Sequence, residues 1–163
     1  MTPMFNDILL WLFVINLGVA FGAGLYEQRI VLPQWFSRSL ENGWQVDVEA
    51  MRRTDPGRRF WAYVTTVPLI LLTLASLAVT WNLGNSIKLW WLAAAVITLL
   101  ERIGTFSYFI PTVLKLMRAE TASATKSAIA SQWKRLNLLR AALNLAGWLA
   151  VLCLSARDQR DAR

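Results

Sequence analysis

"LLERIGTFSYFIPTVL", residues 99–114, is an apolar stretch that contains an adjacent acid and base, Glu101 and Arg102. The apolar runs on either side, Leu89–Leu100 and Ile103–Leu114, are each shorter than the roughly 20 residues that cross a bilayer. Joined through the charged pair, they form one long helix with the charges near its middle. A bare charge at that depth costs at least about 2.5 kcal/mol, so both residues need a partner or a function.

The rest of the chain is also strongly apolar. Hydrophobic residues make up 56% of the 163 positions, and Ile8–Tyr26 and Trp61–Trp81 contain no charge at all. A fourth run, Leu136–Ala156, is interrupted only by Arg140. The sequence therefore predicts an all-α fold, a four-helix transmembrane bundle that forms one domain over the whole chain. The spans are expected at about residues 6–27, 60–82, 88–116 and 133–156.

The loops predict how the bundle is oriented. The first loop, roughly Gln28–Arg59, mixes Trp and Phe with charges, which is typical of short helices at a membrane interface. The two long loops carry 11 of the 17 basic residues and the opposite face carries four. By the positive-inside rule, we expect a multi-pass protein of the cell inner membrane with both termini non-cytoplasmic. The N-terminal apolar run is expected to stay as helix one, because it lacks the basic start of a signal peptide.

The rare residue types exclude several kinds of protein. The chain has no histidine and a single cysteine, Cys153, which excludes an intrachain disulfide and a Cys-x-x-Cys relay. We expect no metal and no cofactor, since the commonest transition-metal and haem ligand is absent. The net charge of +7 is explained by orientation and anionic lipids, so no nucleic acid is expected. The expected partners are the lipid bilayer and a hydrophobic small-molecule ligand, and a homo-oligomer is left open.

Each predicted helix has one polar stripe, because positions three or four apart share a helix face. The stripe of helix three consists of Thr98, Glu101, Thr105, Tyr108 and Thr112. The stripe of helix four consists of Trp133, Asn137, Arg140, Asn144 and Trp148. Lipid cannot satisfy these groups, so the stripes are expected to face inward. Glu101 and Arg140 are then expected to pair across the bundle, with Arg102 reaching Glu27 or an interfacial water.

Two functions remain open for these buried charges. In one, the Glu/Arg pair only fixes the helix register of a structural or accessory membrane protein. In the other, the charges line an intramembrane pocket for a small molecule. In that case the candidate catalytic residues are Glu101, Arg140 and Tyr108, although Tyr108 also suits an interfacial anchor. The candidate substrate-binding residues are Glu27, Arg102, Thr105, Pro111, Trp133, Asn137 and Asn144. A proton-coupled carrier has little support without an internal repeat.

Three segments resemble the anthrone-oxygenase-like family of small four-helix membrane proteins, catalogued mainly as a domain of unknown function. They are "FGAGLYEQRIVLPQW" (21–35), "ERIGTFSYFIPTVLKL" (101–116) and "QWKRLNLLRAALN" (132–144). The resemblance implies a four-helix bundle and, as in some fungal members, cofactor-free oxygenation of a polycyclic anthrone to an anthraquinone. Such chemistry needs a base and a cation near the developing enolate. Glu101 or Glu27 is the candidate base, and Arg140 or Arg102 the candidate cation.

Overall fold

The computed structural model describes residues 3–39, 43–81, 86–118 and 123–161. In chain order its elements are α1 (Pro3–Tyr26), π1 (Glu27–Val31), α2 (Leu32–Trp35), β1 (Phe36–Ser39), β2 (Gly43–Val46), α3 (Val48–Thr54), π2 (Gly57–Thr66), α4 (Val67–Trp81), α5 (Ser86–Gly104), π3 (Thr105–Phe109), α6 (Ile110–Leu116) and α7 (Ser123–Asp161), where π marks a wide helical turn.

Four helical segments are long and apolar enough to cross a membrane. They are Met4–Trp35, Arg59–Trp81, Leu89–Leu116 and Thr125–Cys153, and we call them helices one to four. The predicted all-α fold with four membrane-spanning helices is confirmed, and the chain is a multi-pass membrane protein. Residue 82, the predicted end of the second span, lies outside the described residues.

The four helices pack in a closed ring in which α1 and α5 each contact both α4 and α7. The core of the half that contains the chain ends is formed by Phe13, Leu17, Leu69 and Val151. Gly18 allows α1 and α7 to approach closely, since a Cβ there would lie 3.1 Å from the Trp148 indole. The outward surface is apolar on all four helices, as lipid contact requires. Examples of these exposed residues are Ile15, Leu71, Leu100 and Leu138.

The first loop contains a β-hairpin, which the sequence does not predict. It also contains α3, a short helix of the kind that the sequence predicts there. β1 and β2 pair antiparallel, with Phe36 opposite Val46. The hairpin docks on α7, where the Trp44 backbone N–H donates to Ser127 Oγ at 2.9 Å. Lys134 Nζ lies 3.7 Å from the centre of the Trp44 ring, within cation–π range. The loop is therefore attached to helix four at two points.

Proline explains why three of the four helices contain a π turn. Each π turn is followed directly by one residue and then a proline. These pairs are Leu32–Pro33 after π1, Val67–Pro68 after π2 and Ile110–Pro111 after π3. Proline has no N–H, and its ring clashes with the carbonyl four residues earlier. The residue before each proline instead bonds to the carbonyl five residues back. These bonds run from Leu32 to Glu27, from Val67 to Ala62 and from Ile110 to Thr105. A π turn holds about one extra residue, so it shifts the residues beyond it to another face.

The turn before Pro68 is also held from a second helix. Pro68 cannot donate to the Val64 carbonyl, which is its partner in regular α-helical spacing. Asn16 Nδ2 of α1 donates to that carbonyl at 3.0 Å. Since an unsatisfied backbone group in lipid costs several kcal/mol, this bond stabilises the contact between π2 and α1.

Candidate functional site

Four ionisable side chains meet inside the bundle. Glu27 begins π1, Glu101 and Arg102 lie in α5, and Arg140 lies in α7. The first three are buried, and the Arg140 side chain is 17% exposed. We call these residues the charged quartet. Its two positive and two negative charges balance, which reduces the cost of holding them in the membrane.

Arg140 links the two acids of the charged quartet. Its Nη2 lies 3.3 Å from Glu27 Oε2, and its Nε lies 3.9 Å from Glu101 Oε1. The predicted neighbours Glu101 and Arg140 are thus in ion-pair range, but Glu27 is the closer partner. The guanidinium carbon lies 4.8 Å from the centre of the Phe109 ring and 5.9 Å from that of Trp61. Arg140 Nη1 has no hydrogen-bond partner within the described part of the chain, so it remains available to a ligand.

The Glu101 carboxylate has more side-chain partners than the Glu27 carboxylate. The adjacent Arg102 pairs with its Oε2, and Thr105 Oγ1 donates to its Oε1 at 3.2 Å. Arg102 Nη1 also donates to Thr66 Oγ1 at 3.4 Å. Of the two partners expected for Arg102, Glu27 is not reached, because Glu101 and Thr66 hold the Arg102 guanidinium. Glu27 receives the Arg140 hydrogen bond at its Oε2.

A cavity of about 500 Å³ lies beside the charged quartet, a volume typical of small-molecule sites. Its polar lining residues are Glu27, Arg52, Asp55, Thr66, Thr105 and Arg140. Its aromatic walls are Trp35, Trp61, Phe106, Phe109 and Trp133. The residue six positions before each proline, namely Glu27, Ala62 or Thr105, lines this cavity. Each of the three π turns therefore contributes at least one lining residue at the same spacing from its proline.

A second, smaller cleft of about 40 Å³ opens between Glu101, Arg102, Asn137 and Asn144. It has room for water. Asn137 Oδ1 is buried here without a partner among the described residues, and the same is true of Trp133 Nε1 in the wall of the larger cavity. Buried polar atoms are normally hydrogen-bonded, so these two atoms depart from the usual pattern, and neither has more than 1 Å² of surface that water can touch.

The structure divides the predicted site residues into three groups. Those that line the 500 Å³ cavity are Glu27, Thr105, Trp133 and Arg140. Those that line the small cleft are Glu101, Arg102, Asn137 and Asn144, with Thr105 and Arg140 shared between the two. Tyr108 and Pro111 line neither space.

The π3 turn accounts for the position of Tyr108. Regular α-helical spacing from Thr105 predicts that Tyr108 faces the site, whereas the wider turn brings Phe109 there instead. Phe109 is buried beneath Arg140, and Tyr108 packs edge-on against it with ring centres 5.4 Å apart. Pro111 shapes the turn rather than contributing a side chain to the cavity.

Sequence reasoning missed Trp61, Phe109 and Arg52. Trp61 and Phe109 flank the Arg140 guanidinium, and Arg52 lines the end of the cavity nearest the first loop. The sequence offers a signal for Trp61 only. Trp61 directly precedes Ala62, and Ala62 lies six residues before Pro68 just as Glu27 lies six residues before Pro33.

In the part of the chain that the structure describes, no group of three or more His, Cys, Asp or Glu side chains is placed to hold a metal ion. Comparison with protein-family models, with curated proteins and with solved structures finds no match. The fold and the site together define the class: a multi-pass, mainly helical membrane protein in which four charges of balanced sign adjoin a cavity.

Proposed function

We propose that this membrane protein binds a flat hydrophobic aromatic molecule in the 500 Å³ cavity and oxygenates it without a cofactor. The observation that carries the proposal is that a carboxylate and a guanidinium in contact, those of Glu27 and Arg140, share the wall of an otherwise mainly apolar cavity. The reaction is the one that the resemblance to the anthrone-oxygenase-like family implies. By its basic-residue bias we place the chain in the cell inner membrane, with the cavity on the cytoplasmic side.

The proposed roles follow from what each charged group can still reach. Glu27 is the base, since it lines the cavity, whereas the Glu101 oxygens are held by Arg102 and Thr105. Arg140 is the cation, since its Nη1 is available to a developing enolate oxygen. Trp61 and Phe109 provide flat apolar walls for the rings.

The reaction balances without a bound cofactor. Glu27 accepts a proton from an activated CH₂ group of the phenolic substrate, which leaves a carbanion stabilised as its enolate beside Arg140. The carbanion reduces O₂ and forms a C–O bond, giving a peroxide anion at that carbon, which takes the proton back from Glu27. Loss of water from the peroxide leaves a carbonyl, so that CH₂ and O₂ become C=O and H₂O.

The test uses the full chain in lipid nanodiscs with 1,8-dihydroxyanthrone as the probe. We expect O₂ uptake above the rate in protein-free nanodiscs, and we expect Glu27→Gln to lower the protein-dependent rate by about 100-fold or more while the probe still co-purifies. Glu49→Gln, which changes an exposed carboxylate of α3, is the matched control and should leave the rate unchanged. Equal rates for Glu27→Gln and the unaltered chain would exclude Glu27 as the base. Absence of both binding and O₂ uptake would leave the charged quartet with the purely structural function.

A further inference from the structure

The large cavity opens on the side of the protein that faces the bilayer. Four of its lining residues are also large exposed apolar residues in membrane-spanning helices. These residues, which we call the side window, are Val67 (52% exposed), Phe106 (50%), Ile110 (42%) and Leu114 (55%). Their exposed surface is the surface that lipid covers in a membrane.

The side window exists because two helix halves pack on different neighbours. π2, in the second helix, packs on α1, and α6, in the third helix, packs on α7. The bond from Asn16 to Val64 holds π2 against α1. π2 is itself the wide turn before Pro68, and α6 is joined to α5 through π3, the wide turn before Pro111. The gap between the two halves is the cavity.

The end of the cavity nearest the first loop is bridged. Arg52 Nη2, from α3, donates to the Met117 carbonyl just beyond α6, at 2.9 Å. This bond crosses from the first loop to the end of helix three, above the cavity. The side window has no polar bridge of this kind between its described residues, because all four of its side chains are apolar.

The charges and donors of the cavity define what it accepts. Glu27 and Arg140 cancel, and so do Arg52 and Asp55, so the lining has no excess charge with which to attract an ion. Arg140 Nη1 is a donor without a hydrogen-bond partner among the described residues. A ligand that satisfies it presents an oxygen acceptor and carries no net charge.

From these observations we propose that the cavity is filled from within the bilayer, through the side window, by a neutral membrane-dissolved molecule with an apolar body and an oxygen acceptor at one end. This inference rests on the proposed function for the site, and it adds the route and the class of substrate. The apolar body lies between the side-window residues and the oxygen reaches Arg140 Nη1.

The experiment measures how fast the cavity fills. The full chain is placed in nanodiscs that contain an azide-bearing hydroxypyrene, the probe is photolysed after increasing incubation times, and adducts on Phe109 and Trp133 are quantified by peptide mass spectrometry. Val67→Trp and Ile110→Trp obstruct the side window. Leu71→Trp and Ile103→Trp are the matched controls, since both positions are exposed on the same helices, at 63% and 54%, and neither lines the cavity. Gly57→Trp obstructs the end nearest the first loop, where a Cβ meets only Asp55 Oδ1, at 3.8 Å.

We expect the side-window variants to slow adduct formation by about tenfold or more and to reach the unaltered yield at long times. The two controls and Gly57→Trp should fill at the unaltered rate. Unchanged rates in both side-window variants, or slowing confined to Gly57→Trp, would overturn entry from the bilayer. A yield that stays low at long times would also count against it, because the altered positions would then belong to the binding volume. A chain that forms no Phe109 or Trp133 adducts under any condition would refute the proposed function instead.

Discussion

Arg140 belongs to helix four, but its guanidinium faces Glu27 from helix one and Glu101 from helix three. An arginine at this depth needs such partners, because lipid offers none. Arg135, five residues earlier on α7, is exposed. The two acids are not equivalent, since Glu101 keeps Arg102 as a second cation and Glu27 has only Arg140 among the described residues.

Arg140→Met should lower the free energy of unfolding by about 3 kcal/mol, because it leaves the Glu27 carboxylate buried without its charged partner. Adding Glu27→Gln should recover part of that loss. Adding Glu101→Gln should recover less, since Arg102 still neutralises Glu101. The measurement is unfolding of the detergent-solubilised protein for the single and double variants. Arg135→Met is the matched control, with an expected change within about 0.5 kcal/mol. Strictly additive losses for Glu27→Gln and Arg140→Met would show that the two residues are not coupled.

At the scale of the helices, the π turns before the three prolines determine which side chains line the cavity. Each of π1, π2 and π3 precedes an X–Pro step, and each contributes a lining residue at the same spacing. The wide turn in helix three moves Phe109 rather than Tyr108 beneath Arg140. Pro111 disturbs the α-helical hydrogen bonds by its chemistry alone, but the local pattern does not reveal the one-residue shift, since an α turn and a π turn fit the same residues.

Asn16→Leu should destabilise the protein by about 1 kcal/mol, because the Val64 carbonyl then loses its side-chain donor in an apolar setting. In a Pro68→Ala background the cost should be smaller, since position 68 regains an N–H for that carbonyl. Unfolding of the two single variants and the double variant in detergent measures this coupling. Pro111→Ala serves as the matched background and should leave the cost of Asn16→Leu unchanged. An equal cost in all three backgrounds would contradict the role assigned to the bond from Asn16 to Val64.

At the scale of the whole molecule, two surfaces differ in chemistry. The sides of the four-helix ring are apolar, with exposed residues such as Leu71 and Leu100. One end of the ring carries the hairpin, α3 and most of the basic residues, and it is the end nearest the cavity. The cytoplasmic placement of that end remains a prediction from the positive-inside rule, as does the placement of both termini on the opposite face.

Cysteine labelling in intact cells tests the orientation. Cys153 is exposed and is first replaced by alanine, after which a single cysteine is introduced as Arg160→Cys or Arg53→Cys. A membrane-impermeant maleimide should label the Arg160→Cys protein directly. It should label the Arg53→Cys protein only after the membrane is permeabilised, which also serves as the control for reactivity. Direct labelling of the Arg53→Cys protein in intact cells would reverse the assigned orientation.

The sequence by itself determined the four spans, the inward polar stripes and the presence of buried charges in helices three and four. These features depend on the length and period of apolar runs along one segment, and both are local properties. Only the tertiary structure decided that Arg140 lies closer to Glu27 than to Glu101, that Phe109 replaces Tyr108, and that a cavity separates two helix halves. Those outcomes depend on distances between helices and on the register shift of the π turns, and packing between segments sets both.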